Sequence, residues 1–127
     1  MYSYSVMAKT YRPNQNNREA YDTLTEGGAM SPPQAVELEE AVLGALMLEG
    51  ESIISVQEFL TADAFYMESH RTIYKAMEEL CSENKPIDLF TVTEKLKKQH
   101  KLREVGGAQF LAGLTQKVAS AMKLTTW

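Results

Sequence analysis

Apolar residues return at steps of three and four along much of this chain and nowhere alternate at period two for long. That pattern predicts an all-α protein with no sheet. The clearest stripe is His70, Ile73, Tyr74, Met77, Leu80 and Cys81, with Thr72, Lys75, Glu79 and Ser82 on the opposite side. Such spacing gives a helix one dry and one wet face. The stretch 65–81, entered through Phe65 and Tyr66, would span about 24 Å and is the expected central helix. Asn84 and Pro86 stop it, since proline lacks an amide hydrogen and clashes with the preceding turn.

Shorter segments flank it. After Ser31-Pro32-Pro33, with Ser31 as an expected cap, a first helix is predicted over 34–48. Glu37, Glu39 and Glu40 lie near its positive end, where acids are favoured. Leu38, Ala41, Val42, Ala45 and Leu46 form one stripe and Leu43 and Met47 a second, so the helix is apolar on most sides and is expected to have several neighbours. Gly44 in its middle costs about 1 kcal/mol against alanine, which close approach of another helix would justify. A short helix over 52–58 buries Ile53 and Val56, and a turn at 61–64 delivers Phe65 and Tyr66 to the core. A fourth helix runs from 88 to 99 with Leu89, Val92 and Leu96 as its dry face. Asp88 is one N-cap for it, and Thr91 with Glu94 offers a rival capping box one turn later. Val105-Gly106-Gly107 makes a turn. A fifth helix follows over 108–118, with Phe110, Leu111, Leu114 and Val118 on one side. The expected core includes Val42, Leu46, Phe65, Ile73, Tyr74, Met77 and Leu80.

The pattern collapses before Pro33. Residues 1–32 are polar and aperiodic, so they are expected to form a disordered tail, because little apolar surface is available to offset ordering entropy. The predicted organisation is thus a tail over 1–32, a helical globule over 33–104 and a helical arm over 105–127. At 127 residues and 44% hydrophobic, the chain has room for one core. No run is apolar and long enough to span a membrane, and no signal peptide is evident, so a cytoplasmic location is expected. The lone Cys81 excludes an internal disulfide and reads as a small buried side chain.

Charge is segregated. Residues 1–18 carry three basic groups and no acid, residues 19–70 eleven acids and no Lys or Arg, and residues 71–127 ten basic and six acidic groups, for a net charge of −4. Bulk DNA binding by the acidic half is therefore not expected. Lys95, Lys97, Lys98, His100, Lys101 and Arg103 crowd the end of the fourth helix, where cations suit the helix dipole. The five Lys and Arg residues are candidates for weak nucleic-acid contacts, although a solvated helix end is the simpler reading.

Catalytic chemistry finds little footing. There is no Gly-x-x-x-x-Gly-Lys-Ser/Thr loop to cradle a nucleotide. His70, Cys81 and His100 are too few and too scattered for a zinc site. His70 has no nucleophile at a recognisable spacing, so it is expected to be structural, bonded to backbone or carboxylate. Glu39-Glu40 and Glu78-Glu79 read as solvated acids on wet faces. No enzyme activity, cofactor or metal is expected of these residues.

Three stretches taken together resemble a family. The run from Pro33 through Glu37, Leu38, Ala41, Leu43 and Gly44 to Leu46 is similar to the opening of the N-terminal domain of DnaB-type replicative DNA helicases. Phe65-Tyr66 followed by His70, Ile73, Tyr74, Ala76 and Met77 resembles that domain's central helix. Pro86-Ile87-Asp88-Leu89 with Thr91 and Val92, then Val105-Gly106-Gly107 and Leu111, resemble its later helices. The register holds from about 32 to 120, roughly 70% of the chain.

The resemblance implies a small orthogonal bundle of about five helices, ending in the start of a helical hairpin. It implies a collar domain that pairs with other helicase subunits, helps assemble the hexamer and receives primase, meeting DNA only indirectly. ATP and Mg²⁺ would belong to a separate motor domain that these residues do not include. Val118-Ala119-Ser120-Ala121 resembles the hairpin turn, after which the family continues with a second arm. Phe110, Leu111, Leu114 and Val118 would then form a self-association or partner surface, and a half-hairpin is expected to associate weakly. The alternatives are a stand-alone collar mimic that modulates helicase or primase, and a small DNA-binding helical protein using the 95–103 cluster.

Overall fold

The computed structural model describes residues 32–125, so the expected tail and the Ser31 cap lie outside the described residues. All regular structure among the described residues is helical: α1 (Pro32–Leu48), α2 (Ile53–Val56), α3 (Glu68–Ser82), α4 (Leu89–Lys98) and α5 (Gly107–Thr125). Single 3₁₀ turns at Gly50–Ser52 and Ala62–Ala64 join them.

The central helix is α3. Ile73, Tyr74, Met77 and Leu80 are buried as its stripe requires, and Ala76 joins them. Its end is a tight left-handed cap. Asn84 takes φ 60°, the Asn84 amide bonds to the Cys81 carbonyl at 3.0 Å, and the Lys85 amide reaches the Leu80 carbonyl at 2.9 Å. The end of α4 repeats the device with His100 at φ 60° and Lys101 N–H donating to the Leu96 carbonyl at 2.9 Å. The start of α4 resolves the two rival caps in favour of Asp88. Its Oδ1 accepts from the Thr91 amide at 2.8 Å, while Thr91 Oγ1 accepts from the Asp88 amide at 2.9 Å.

One core gathers all of this. Leu43, Leu46 and Met47 of α1, Ile53 of α2, Phe65, the α3 stripe, Val92 and Leu96 of α4, and Leu111 and Leu114 of α5 are all buried in it. Each large side chain removed from water contributes about 1.5–3 kcal/mol.

Three expectations need correction. On α1 the buried side is the one holding Leu43 and Met47, while Leu38 is 52% exposed and Ala41 and Ala45 lie open. Val42 is half-buried and packs against the core from its edge. The helix is apolar nearly all round, so its periodicity cannot choose a face. The segment 52–58 is helical only over Ile53–Val56. Finally, α5 continues to Thr125 although its apolar stripe fades. Residues 119–123 are mostly good helix formers, and propagation of an existing helix needs no stripe.

Gly44 is where α1 and α5 meet. A Cβ there would stand 2.5 Å from the Leu114 carbonyl oxygen and 2.8 Å from Val118 Cγ2. The glycine permits the close helix approach that its position in the sequence suggests.

Candidate functional site

Two places concentrate polar chemistry or open apolar surface. The first is internal. Glu39, on α1, is buried at 6% exposure, and its carboxylate lies over the start of α3. Oε2 accepts from the Tyr66 amide at 2.5 Å, and Oε1 accepts from the Met67 amide at 3.4 Å. Oε1 also lies 2.7 Å from Nδ1 of His70, itself 1% exposed. Arg71 holds the same loop from its carbonyl side, with Nη1 donating to Phe65 O at 2.6 Å and Tyr66 O at 3.1 Å. Phe65 then packs against Tyr74 with the rings tilted by 39° and their centroids 5.1 Å apart, and the Tyr74 hydroxyl donates to the Leu60 carbonyl at 2.8 Å.

Glu39 therefore serves the N-terminus of α3 rather than that of its own helix. An acid at that position satisfies amides that have no partner within the helix and faces the positive end of its dipole. His70 is structural, as its setting in the sequence suggests, and its carboxylate partner Glu39 lies 31 residues away. Arg71 and Glu39 are the functional polar residues that sequence reasoning passes over. Glu39 joins segments 27 to 31 residues apart, which nothing local marks. Arg71 reaches back only five and six residues, to loop carbonyls that no apolar pattern or cap motif singles out. The site is closed and holds a loop; it offers no nucleophile.

Glu78 is the second departure from the wet-face reading. Burial pushes its carboxyl up to about 7, Lys75 opposes the shift, and Asp63 and Glu79 add to it. Glu79 itself is exposed and accepts from Gln99 Nε2 at 2.5 Å.

Open apolar surface lies between α1 and α5. A groove of about 580 Å³ runs there, walled by Ala41 and Ala45 on one side and Val118, Ala121 and Met122 on the other. Glu37, Glu40 and Lys117 rim it, and Lys117 Nζ meets Glu40 Oε1 at 3.2 Å. The walls are mostly small residues, so a partner helix could approach closely.

The predicted surface on α5 is only partly here. Leu111 and Leu114 are 0% and 2% exposed, so they are core residues and not contact residues. Phe110 and Val118 are half-buried. The open part of α5 lies further along, at Ala119–Met122, because α1 supplies the cover that a second arm was expected to give.

The basic cluster is divided too. Lys95 turns toward α3 and pairs with Glu83 at 2.5 Å and Glu79 at 3.9 Å. Its hydrogen bond holds the Glu83 carboxyl below the usual range. Lys97, Lys98, Lys101 and Arg103 are exposed. Among the described residues no group of three or more His, Cys, Asp or Glu side chains could hold a metal ion, and no helix is long and apolar enough to cross a membrane.

Comparison with known proteins identifies relatives of the whole helical unit. The family described as "DnaB-like helicase N terminal domain" matches residues 31–127. The replicative DNA helicase DnaB of Rhodothermus marinus is 42% identical over 107 residues, covering 84% of this chain and 11% of that protein. DnaB of Geobacillus stearothermophilus is 38% identical over 90 residues, or 71% of this chain and 20% of that protein. The chain thus spans only a small part of the length of these relatives. The crystal structure of the N-terminal domain of DnaB helicase from Mycobacterium tuberculosis superposes with a TM-score of 0.64 at 35% identity, covering 69% of this chain and 63% of that one.

Proposed function

The chain belongs to the DnaB-like helicase N-terminal domain family, and from that premise we propose that it acts as a helicase collar module. In this reading it docks other helicase subunits during hexamer assembly and receives primase. The residues matched are those of the non-catalytic N-terminal domain, so the work proposed for them is binding.

The observation that carries the proposal is the α1–α5 groove. Leu111 and Leu114 anchor α5 to the core, and the helix then runs on with Ala119–Met122 exposed beside the small residues of α1. An apolar strip with an acidic and a basic rim suits a helical protein partner. Because the inner half of α5 is already covered, self-association through the remainder is expected to be weak.

Two measurements test this. The full chain is used to capture purified full-length helicase and primase, with Met122→Asp as the groove variant. Capture of either protein by the wild type, and its loss in the variant, supports the reading; capture of neither overturns it. Sedimentation across a hundredfold concentration range should show weak, concentration-dependent association, and a tight, fully populated dimer would contradict the placement of the interface.

A further inference from the structure

We infer that the outer face of α4 and the turn after it bind single-stranded DNA, with Phe90 as a base-stacking platform and Lys97, Lys98, Lys101 and Arg103 as phosphate contacts. Three observations converge on this face. Phe90 is a large aromatic left 72% exposed on a rigid, doubly capped helix. Lys97 follows it by two helical turns, about 10.5 Å along the axis, so the two share a face. Lys95, by contrast, is withdrawn to Glu79 and Glu83 on the α3 side, which separates a structural cation from the outward ones. Lys98 borders the same face, and Lys101 and Arg103 are exposed on the turn beyond His100. Glu94 is the one acid on this face within α4, and the N-cap Asp88 shares a surface hollow with Phe90; both oppose binding there.

The choice of ligand follows from the chemistry. Exposed lysines and arginines suit any polyanion, but an exposed ring beside them gains only from unpaired bases, whose faces are free to stack. A duplex hides those faces. Relatives named as DNA helicases favour DNA over RNA as the strand. The surface is separate from the α1–α5 groove and does not depend on the collar reading.

The test is fluorescence anisotropy with a labelled 20-nucleotide oligo-dT and the full chain, at 50 and 200 mM salt. Four phosphate contacts give a slope near −2.8 in log–log form, so affinity should fall about 50-fold over that range. With Lys97→Gln and Lys98→Gln combined, two contacts remain and the fall should shrink to about 7-fold. Phe90→Ala should weaken binding by about tenfold while leaving the salt slope unchanged. Glu94→Gln should tighten it. Circular dichroism verifies that each variant is folded; all of these positions lie at or near the surface. No binding at 50 mM salt overturns the inference. So does binding of heparin or duplex DNA at equal strength with no effect of Phe90→Ala, since that marks a bare polyanion patch. Binding confined to single-stranded RNA overturns it as well.

Discussion

Replacing Gly44 with alanine sets two effects of opposite sign against each other, and the geometry decides between them. In an isolated helix the change would stabilise by about 1 kcal/mol, because alanine loses less backbone entropy. Here the new methyl carbon would stand 2.5 Å from the Leu114 carbonyl oxygen. An ordinary contact needs roughly 0.9 Å more, and the obstacle is backbone, which cannot swing aside as a side chain can. The helices must part, loosening the contact that covers Leu43, Leu111 and Leu114. Overpacking of this kind costs about 1–3 kcal/mol, and the net loss should approach 2 kcal/mol. For a unit of this size that lowers Tm by about 8–16 °C. Gly113 on α5 is the internal control, since a Cβ there meets nothing within 4 Å. Gly113→Ala should therefore show the helix-propensity gain alone and raise Tm by several degrees. Thermal unfolding followed by circular dichroism at 222 nm reads both. A Gly44→Ala variant as stable as the wild type would show that α1 and α5 are not held in this contact.

Other perturbations test other parts of the structure. Glu39→Ala leaves the Tyr66 amide and His70 without their shared acceptor, and should cost about 2–4 kcal/mol in urea unfolding. Glu78 has a folded pKa near 7 against an ordinary 4.5. Its protonated form therefore favours the fold below about pH 4.5, and that contribution is lost as pH rises through 7. Glu78→Gln should remove the loss, adding ~1 kcal/mol at pH 8 after allowance for solvent screening and nothing at pH 4. Equal effects at both pH values would refute the assignment. His100→Gly relieves a non-glycine residue at φ 60° in the C-cap of α4 and should raise stability by up to about 1 kcal/mol, read as a shift in urea midpoint.

The family resemblance and the all-α class were both legible before any coordinates, because register and helical period are properties of the chain itself. The stop at Asn84 was legible too, and Asp88 was legible as one of two rival caps, since such signals are made by residues within a few positions of one another; the structure chose Asp88. The buried face of α1 was not. With apolar residues on nearly every side, only the docking of α3 and α5 chose Leu43 and Met47 over Leu38 and Ala45. Glu39 and Glu78 looked like ordinary surface acids, and packing alone placed one over the start of α3 and pushed the pKa of the other upward. For the same reason Leu111 and Leu114 passed for a contact surface until α1 was seen to cover them. Local sequence sets which segments are helical, because helix hydrogen bonds and caps close within four or five residues. Which side of a helix meets water, and which carboxylate serves which amide, depends on neighbours dozens of residues away, and only the assembled tertiary structure brings them together.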